Sequence, residues 1–329
     1  MIYSCIRFSQ RIRPILRNFK SSAFGKVNYS RENSQLRTRV STDAVLKPGL
    51  KLALKCGVFT VISTNAVFLG SLILGFETWQ ARYSKAKSDY AIRNFISKVR
   101  GCIEKILGRP LKAFDVYWAI VACNILVFLG LNSKFSSTLL PYFCSSPYGP
   151  TPVLSLVLSL FSHKSLFHLG INMYVLHSFA SSVISLVGVE DFFSVFIAGG
   201  IFSSYISLLN KLLRRSTFPS LGASGGICAI IGALSMLQPN ARLCVPFVVD
   251  IIPHSFQANS AVWIILSIEI FGLVFLSRRS ALDHAAHAGG LVFGMLYGMN
   301  GVESIWKRHR DVLSWWKSIR DQKLKKRLQ

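Results

Sequence analysis

The chain has 329 residues, of which 51% are hydrophobic and only 16% charged, far more apolar material than one soluble core requires. That composition excludes an ordinary soluble domain and makes a membrane protein the default. The formal charge of +24 would suggest nucleic acid in a soluble protein. Here, however, the Lys and Arg residues crowd into 1–55, 80–112 and the tail after 306, where they flank apolar stretches as membrane-anchoring segments do. No aromatic-basic interleaving accompanies them, so no nucleic-acid partner is expected.

In chain order, the first 31 residues carry seven Lys or Arg and no Asp or Glu, the composition of an organelle transit peptide. Phe8, Ile12, Ile15 and Phe19 fall on one helical face, and Arg7, Arg11, Arg13 and Arg17 lie off it, although Pro14 interrupts that helix. No apolar core suited to a secretory signal is present, so mitochondrial import is expected. Spans of membrane length follow at 56–76, 116–131, 166–188, 192–209, 221–237, 258–276 and 284–302. The apolar stretch 153–161 is too short to cross and is expected to dip into the interface. The chain is therefore read as all-α and polytopic: a leader and basic tail over 1–55, an extra transmembrane helix at 56–76, a basic linker at 77–115, a six-helix core at 116–302 and a basic C-terminal tail at 303–329. There is no internal repeat of the kind transporters use. The seven cysteines are scattered, with no CxxC pair, so neither a disulfide framework nor a zinc site is expected.

Each crossing reverses direction, so the second, fourth and sixth core spans start on the same side. His168, Ser224 and His287 each lie within about three residues of those starts, at similar shallow depth given a rise of about 1.5 Å per residue. Ser224, Cys228 and Gly232 share one face of the fourth span, and His287, Gly290, Gly294 and Gly298 share one face of the sixth. Small-residue stripes are where membrane helices approach closely. Packing the two stripes together brings the serine hydroxyl within reach of the imidazole, as a nucleophile and its base require. Gly222 and Gly225 leave the backbone open beside the serine, where free amides and the helix dipole favour an oxyanion. His168 and Asn172, spaced i and i+4, share a face and can donate to the same oxyanion. Glycine, serine, histidine and asparagine in spans also serve as packing and interhelical hydrogen-bonding groups. Intramembrane polar residues nevertheless mark function, and three sets converge here.

Gly222-Ala223-Ser224-Gly225, His168 with Asn172, and Ala286-His287 followed by Gly290 and Gly294 together resemble the rhomboid intramembrane serine proteases. The phrases Phe161-Ser162-His163 through Phe167-His168 to Asn172-Met173-Tyr174, and Asp283-His284-Ala285-Ala286-His287, resemble the mitochondrial presenilin-associated rhomboid-like branch, and the extra preceding span matches that branch's one-plus-six plan. The resemblance implies a Ser-His dyad with Ser224 as nucleophile and His287 as general base, His168 and Asn172 completing an oxyanion hole, and no cofactor or metal. It implies a serine endopeptidase of the mitochondrial inner membrane that cuts single-span membrane proteins within the lipid bilayer. The rival reading is a catalytically inactive rhomboid-fold protein that binds membrane helices for quality control; retention of both Ser224 and His287 disfavours it.

Two departures from the wider family stand out: Cys228 occupies a position that many bacterial relatives fill with an aromatic, and the loop at 132–152 lacks a Trp-Arg pair. Asp283 is read as a helix cap, with an orienting acid for His287 as the lesser alternative, His163 as structural and His284 as interfacial, while His177 and His254 have no chemical context. Glu269, alone in the fifth span, either lines a substrate path or is buried and hydrogen-bonded. For orientation, the charge rule puts the side carrying the linker and C-terminal tail in the matrix. A matrix N-terminus followed by one crossing puts it in the intermembrane space instead, which the resemblance favours.

Overall fold

The computed structural model describes residues 49–83, 91–244, 254–276 and 282–328. The transit peptide expected within 1–55 thus lies, up to residue 48, outside the described residues. The extra helix, α1, runs over Leu50–Tyr83, longer at both ends than its apolar centre. Hydroxyl residues along it turn back onto their own helix, as when Thr60 donates to the Cys56 carbonyl at 2.8 Å, which satisfies the hydroxyl within its own helix, as lipid requires. After α1 come an amphipathic helix α2 (Ala91–Leu107) and the first core span α3 (Asp115–Leu131). The short α4 (Ser136–Phe143) and α5 (Pro152–Leu158), the latter continued by a 3-10 turn over Ser159–Phe161, make up the first loop. The apolar stretch too short to span is helical, and it buries Leu156 and Leu160 against the core.

The second and third spans are two helices, together α6 (Leu166–Arg214), that meet at Gly188, whose φ of 89° and ψ of 167° only glycine adopts readily. Both ends of α6 consequently reach the same end of the molecule, with His168 beside Gly222 and Ser207 bonded to Asp283. α7 (Ser224–Leu237) lies at the centre. A two-residue antiparallel pair, β1 (Arg242–Leu243) with β2 (Phe256–Gln257), leads to α8 (Ala258–Phe271), which ends in a π turn over Gly272–Leu276. α9 (His284–Gly298) and α10 (Gly301–Leu328) complete the chain. Among the described residues, Leu50–Gln80, Leu166–Arg214 and Ala258–Leu276 are long and apolar enough to cross a membrane; Asp115–Leu131 and Ser224–Leu237 are shorter apolar helices.

α7 packs between α9 and the second arm of α6, and small residues let backbones touch. A Cβ on Gly290 or Gly294 would run into the carbonyl of Gly225 or Ala229, and one on Gly226 would reach the Phe196 carbonyl. These are the facing stripes expected from the sequence. With 14 residues, α7 is about 21 Å long against about 30 Å of hydrocarbon, so its N-terminus can sit below the membrane surface. At the opposite end of the core, the fully buried Asp191 accepts from Tyr297 Oη, Arg308 at 3.1 Å and His309 Nε2 at 2.9 Å. Trp316 Nε1 donates to Glu77 at 2.8 Å. The region expected as a C-terminal tail is therefore a helix docked onto α1, α6 and α7.

Candidate active site

Gly222 sets the geometry of the site. Its φ of +133° is one that side chains rarely permit, and its N–H donates to the Ser159 carbonyl at 2.9 Å. Two residues earlier, Ser220 pairs with Ser145 in both directions, at 2.8 and 2.9 Å. The segment entering α7 is thus held by the first loop, and Ser224 becomes the first residue of the helix. The first α7 amide to find an acceptor of the helical pattern is that of Ile227, onto the Ala223 carbonyl at 3.0 Å. Those before it are the unfilled donors of a helix start.

His287 lies on the first turn of α9, and its Nε2 is 2.8 Å from Ser224 Oγ. Its Nδ1 is 3.0 Å from Glu269 Oε1 on α8, and the other oxygen of that carboxylate lies 2.6 Å from His284 Nδ1. An ionised carboxylate only accepts, so both Nδ1 atoms carry their protons in this arrangement. His287 Nε2 is then left as the acceptor for the serine hydroxyl. All three side chains are at least 85% buried, where a hydrogen bond is stronger than in water.

The sequence pattern did not say which groups Glu269 and His284 meet. Glu269 is not isolated: it joins both histidines of α9. His284 is buried under α8, with its ring against Gly272, rather than interfacial. Among the described residues the serine-histidine pair therefore has an acidic third neighbour that no motif announced. Asp283 caps α9 by accepting from the Ala286 amide at 3.1 Å, as expected. Its second oxygen accepts from Ser207 and Ser220, and the buried Lys211 ammonium stands 3.4 Å away, itself donating to Ser207 at 2.8 Å. This cluster ties the α9 start to the segment entering α7, holding Ser224 and His287 in register.

His168, within the first turn of α6, has its ring edge over Gly222, with Cε1 and Nε2 3.0 and 3.3 Å from where a Cβ would stand. The Ser165 hydroxyl caps that helix by accepting from the His168 amide at 3.1 Å. Asn172 lies one turn deeper and is buried, and its Nδ2 donates to the His168 carbonyl at 2.7 Å. One of its two amide protons is thus spent within its own helix. His163 is buried with its ring edge-on to His168, centroids 5.0 Å apart, in keeping with a structural role. His177 also gains a context, lying against the rings of Phe114 and Tyr117.

The family model described as "Rhomboid domain" matches residues 150–304. The human presenilin-associated rhomboid-like protein, mitochondrial, is 36% identical over 274 residues, covering 80% of this chain and 70% of that protein. The zebrafish (Danio rerio) presenilin-associated rhomboid-like protein A, mitochondrial, is 39% identical over 291 residues, covering 80% and 74%. The Saccharomyces cerevisiae Rhomboid protein 1, mitochondrial, is 32% identical over 189 residues, 56% of this chain and 52% of that one.

Proposed function

The chain belongs to the rhomboid family and is a multi-pass mitochondrial membrane protein, and from that premise we propose that it is a serine endopeptidase of the inner membrane that cleaves transmembrane segments. In this reading the Ser224 hydroxyl adds to the scissile carbonyl while His287 Nε2 takes its proton. The tetrahedral intermediate then expels the amine, which receives that proton from His287, and leaves an acyl-enzyme. Water, deprotonated by the same imidazole, attacks the ester and releases the acid. Glu269 holds His287 in the tautomer with a bare Nε2 and offsets the positive charge that the ring acquires. The amides at the start of α7, with His168 and Asn172, stabilise the oxyanion. No cofactor enters these steps.

The observation that carries the proposal is the 2.8 Å approach of Ser224 Oγ to His287 Nε2, with Glu269 on the far side of the ring. A substrate must expose its backbone to that hydroxyl, so single-span proteins with Gly, Ser or Pro near the cut are the expected class. The test is cleavage of such a reporter by the purified protein in vesicles. Ser224→Ala and His287→Ala should each abolish cleavage and leave folding and insertion intact. A Ser224→Ala variant that cut at close to the wild-type rate would remove the nucleophile assignment. A wild-type protein that bound reporters without cutting any would point instead to the inactive, helix-binding reading.

A further inference from the structure

We propose that α2 is an interfacial anchor that lies along the membrane surface and binds anionic phospholipid headgroups. At about 100° per residue, Ile92, Phe95, Ile96, Val99, Ile103 and Ile106 fall within one arc. Arg93, Lys98, Arg100 and Lys105 fall outside it. The chain itself does not cover that apolar arc where its side chains are described: Val99 is 42% and Ile106 78% exposed. The neighbour α2 packs against is α1. In water such a face would be a lasting liability.

Placement identifies what covers it. α2 is joined to the end of α1 by residues 84–90 and to the start of α3 by residues 108–114. Because α1 and α3 are membrane spans, tethers this short keep α2 at the bilayer surface. A helix with an apolar arc and a basic face, in that position, lies in the interface plane with the arc at the acyl boundary. The charge balance selects the lipid. Glu104 is the one acid of α2, and it accepts from Arg100 at 2.9 Å and from the Leu111 amide at 2.9 Å. Among the described residues no carboxylate pairs with Lys98 or Lys105, which leaves both to an outside anion, and phosphates with net negative headgroups supply it. Crossing parity puts this leaflet opposite the one nearest Ser224. The proposal therefore concerns a surface separate from the candidate active site and does not depend on catalysis.

The test uses the full chain reconstituted in vesicles of phosphatidylcholine alone or mixed with phosphatidylglycerol. An environment-sensitive fluorescent amino acid at Ile106 should be quenched by brominated acyl chains and shielded from iodide. Photoreactive phosphatidylglycerol should label α2 in preference to photoreactive phosphatidylcholine. Each basic side chain near the surface contributes about a fivefold preference, so a double Lys98→Gln and Lys105→Gln variant should cut the ratio by about 25-fold at low salt. Quenching at Ile106 by iodide would put the face in water and overturn the proposal. Shielding from both quenchers would put a protein there instead and would overturn it equally. A labelling ratio that ignored the two lysines would remove the headgroup site.

Discussion

Gly294 offers the sharpest test of whether helix proximity sets the chemistry. It lies seven residues beyond His287 on α9, facing α7, and carries no chemistry of its own. A methyl group there would run into the Ala229 carbonyl oxygen and stand 2.7 Å from its carbon and 2.8 Å from the Ala233 nitrogen, where ordinary contact begins near 3.4 Å. The three nearest atoms are all backbone, so nothing can swing aside, and α9 must retreat by about 1 Å or more to clear the Ala229 carbonyl oxygen. Overpacking of this kind costs about 1–3 kcal/mol. The same retreat, passed along α9, stretches the 2.8 Å contact between Ser224 and His287 to about 3.8 Å or more, beyond a useful hydrogen bond. A displacement near 1 Å costs about 10²-fold in rate. Gly294→Ala should therefore lower both the unfolding temperature in detergent and the initial rate of reporter cleavage. Gly170→Ala, with nothing within 4 Å of the new methyl, is the control and should change stability by less than about 1 kcal/mol. Wild-type turnover and unfolding temperature in Gly294→Ala would refute the idea that the glycine stripe sets the spacing of the reactive pair.

Glu269→Gln should lower kcat by about 10²-fold with KM little changed, because a charge-assisted hydrogen bond is lost and the amide can hold His287 in the wrong tautomer; pH–rate profiles of both forms check it, and an unaltered profile would count against the orienting role. Lys211→Met leaves the Asp283 carboxylate without its cation and should destabilise the protein by about 3–5 kcal/mol, with part of the loss recovered when Asp283→Asn is added; thermal unfolding of the two variants decides. At the oxyanion position His168→Ala should cost about 10²- to 10³-fold in turnover and Asn172→Ala less, since the Asn172 amide already serves the His168 carbonyl. Unchanged turnover in the double variant would leave both residues as packing.

The spans, the shared depth of Ser224 and His287, and the stripes that bring them together were legible in the sequence because each rests on a local signal: hydrophobic length, crossing parity and periodicity. The partners of Glu269 were not, for a physical reason. The bonds to His284 and His287 reach across fifteen and eighteen residues between two helices, and nothing in the pattern of α8 says which neighbour its carboxylate faces. The same holds for Lys211 and Asp283, which come together across 72 residues. Gly188 was visible as a glycine between two spans, but whether it marked a loop or a one-residue break depends on the packing of both arms. Over 303–329 the charge density reads as a solvated tail; its docking hangs on Asp191, more than a hundred residues away.

The buried carboxylates of the core show how a membrane fold separates stability from chemistry. Asp191 is enclosed by donors from Tyr297, Arg308 and His309, and Asp283 by Ser207, Ser220, Lys211 and a backbone amide. The hydrogen bonds that both accept are committed to holding helices together, as low-dielectric surroundings demand. Glu269 differs in that its two hydrogen-bond partners among the described residues are both imidazoles. One of these, His287, presents its remaining nitrogen to Ser224. In the proposed mechanism a proton arriving at that nitrogen would meet the Glu269 carboxylate on the far side of the ring.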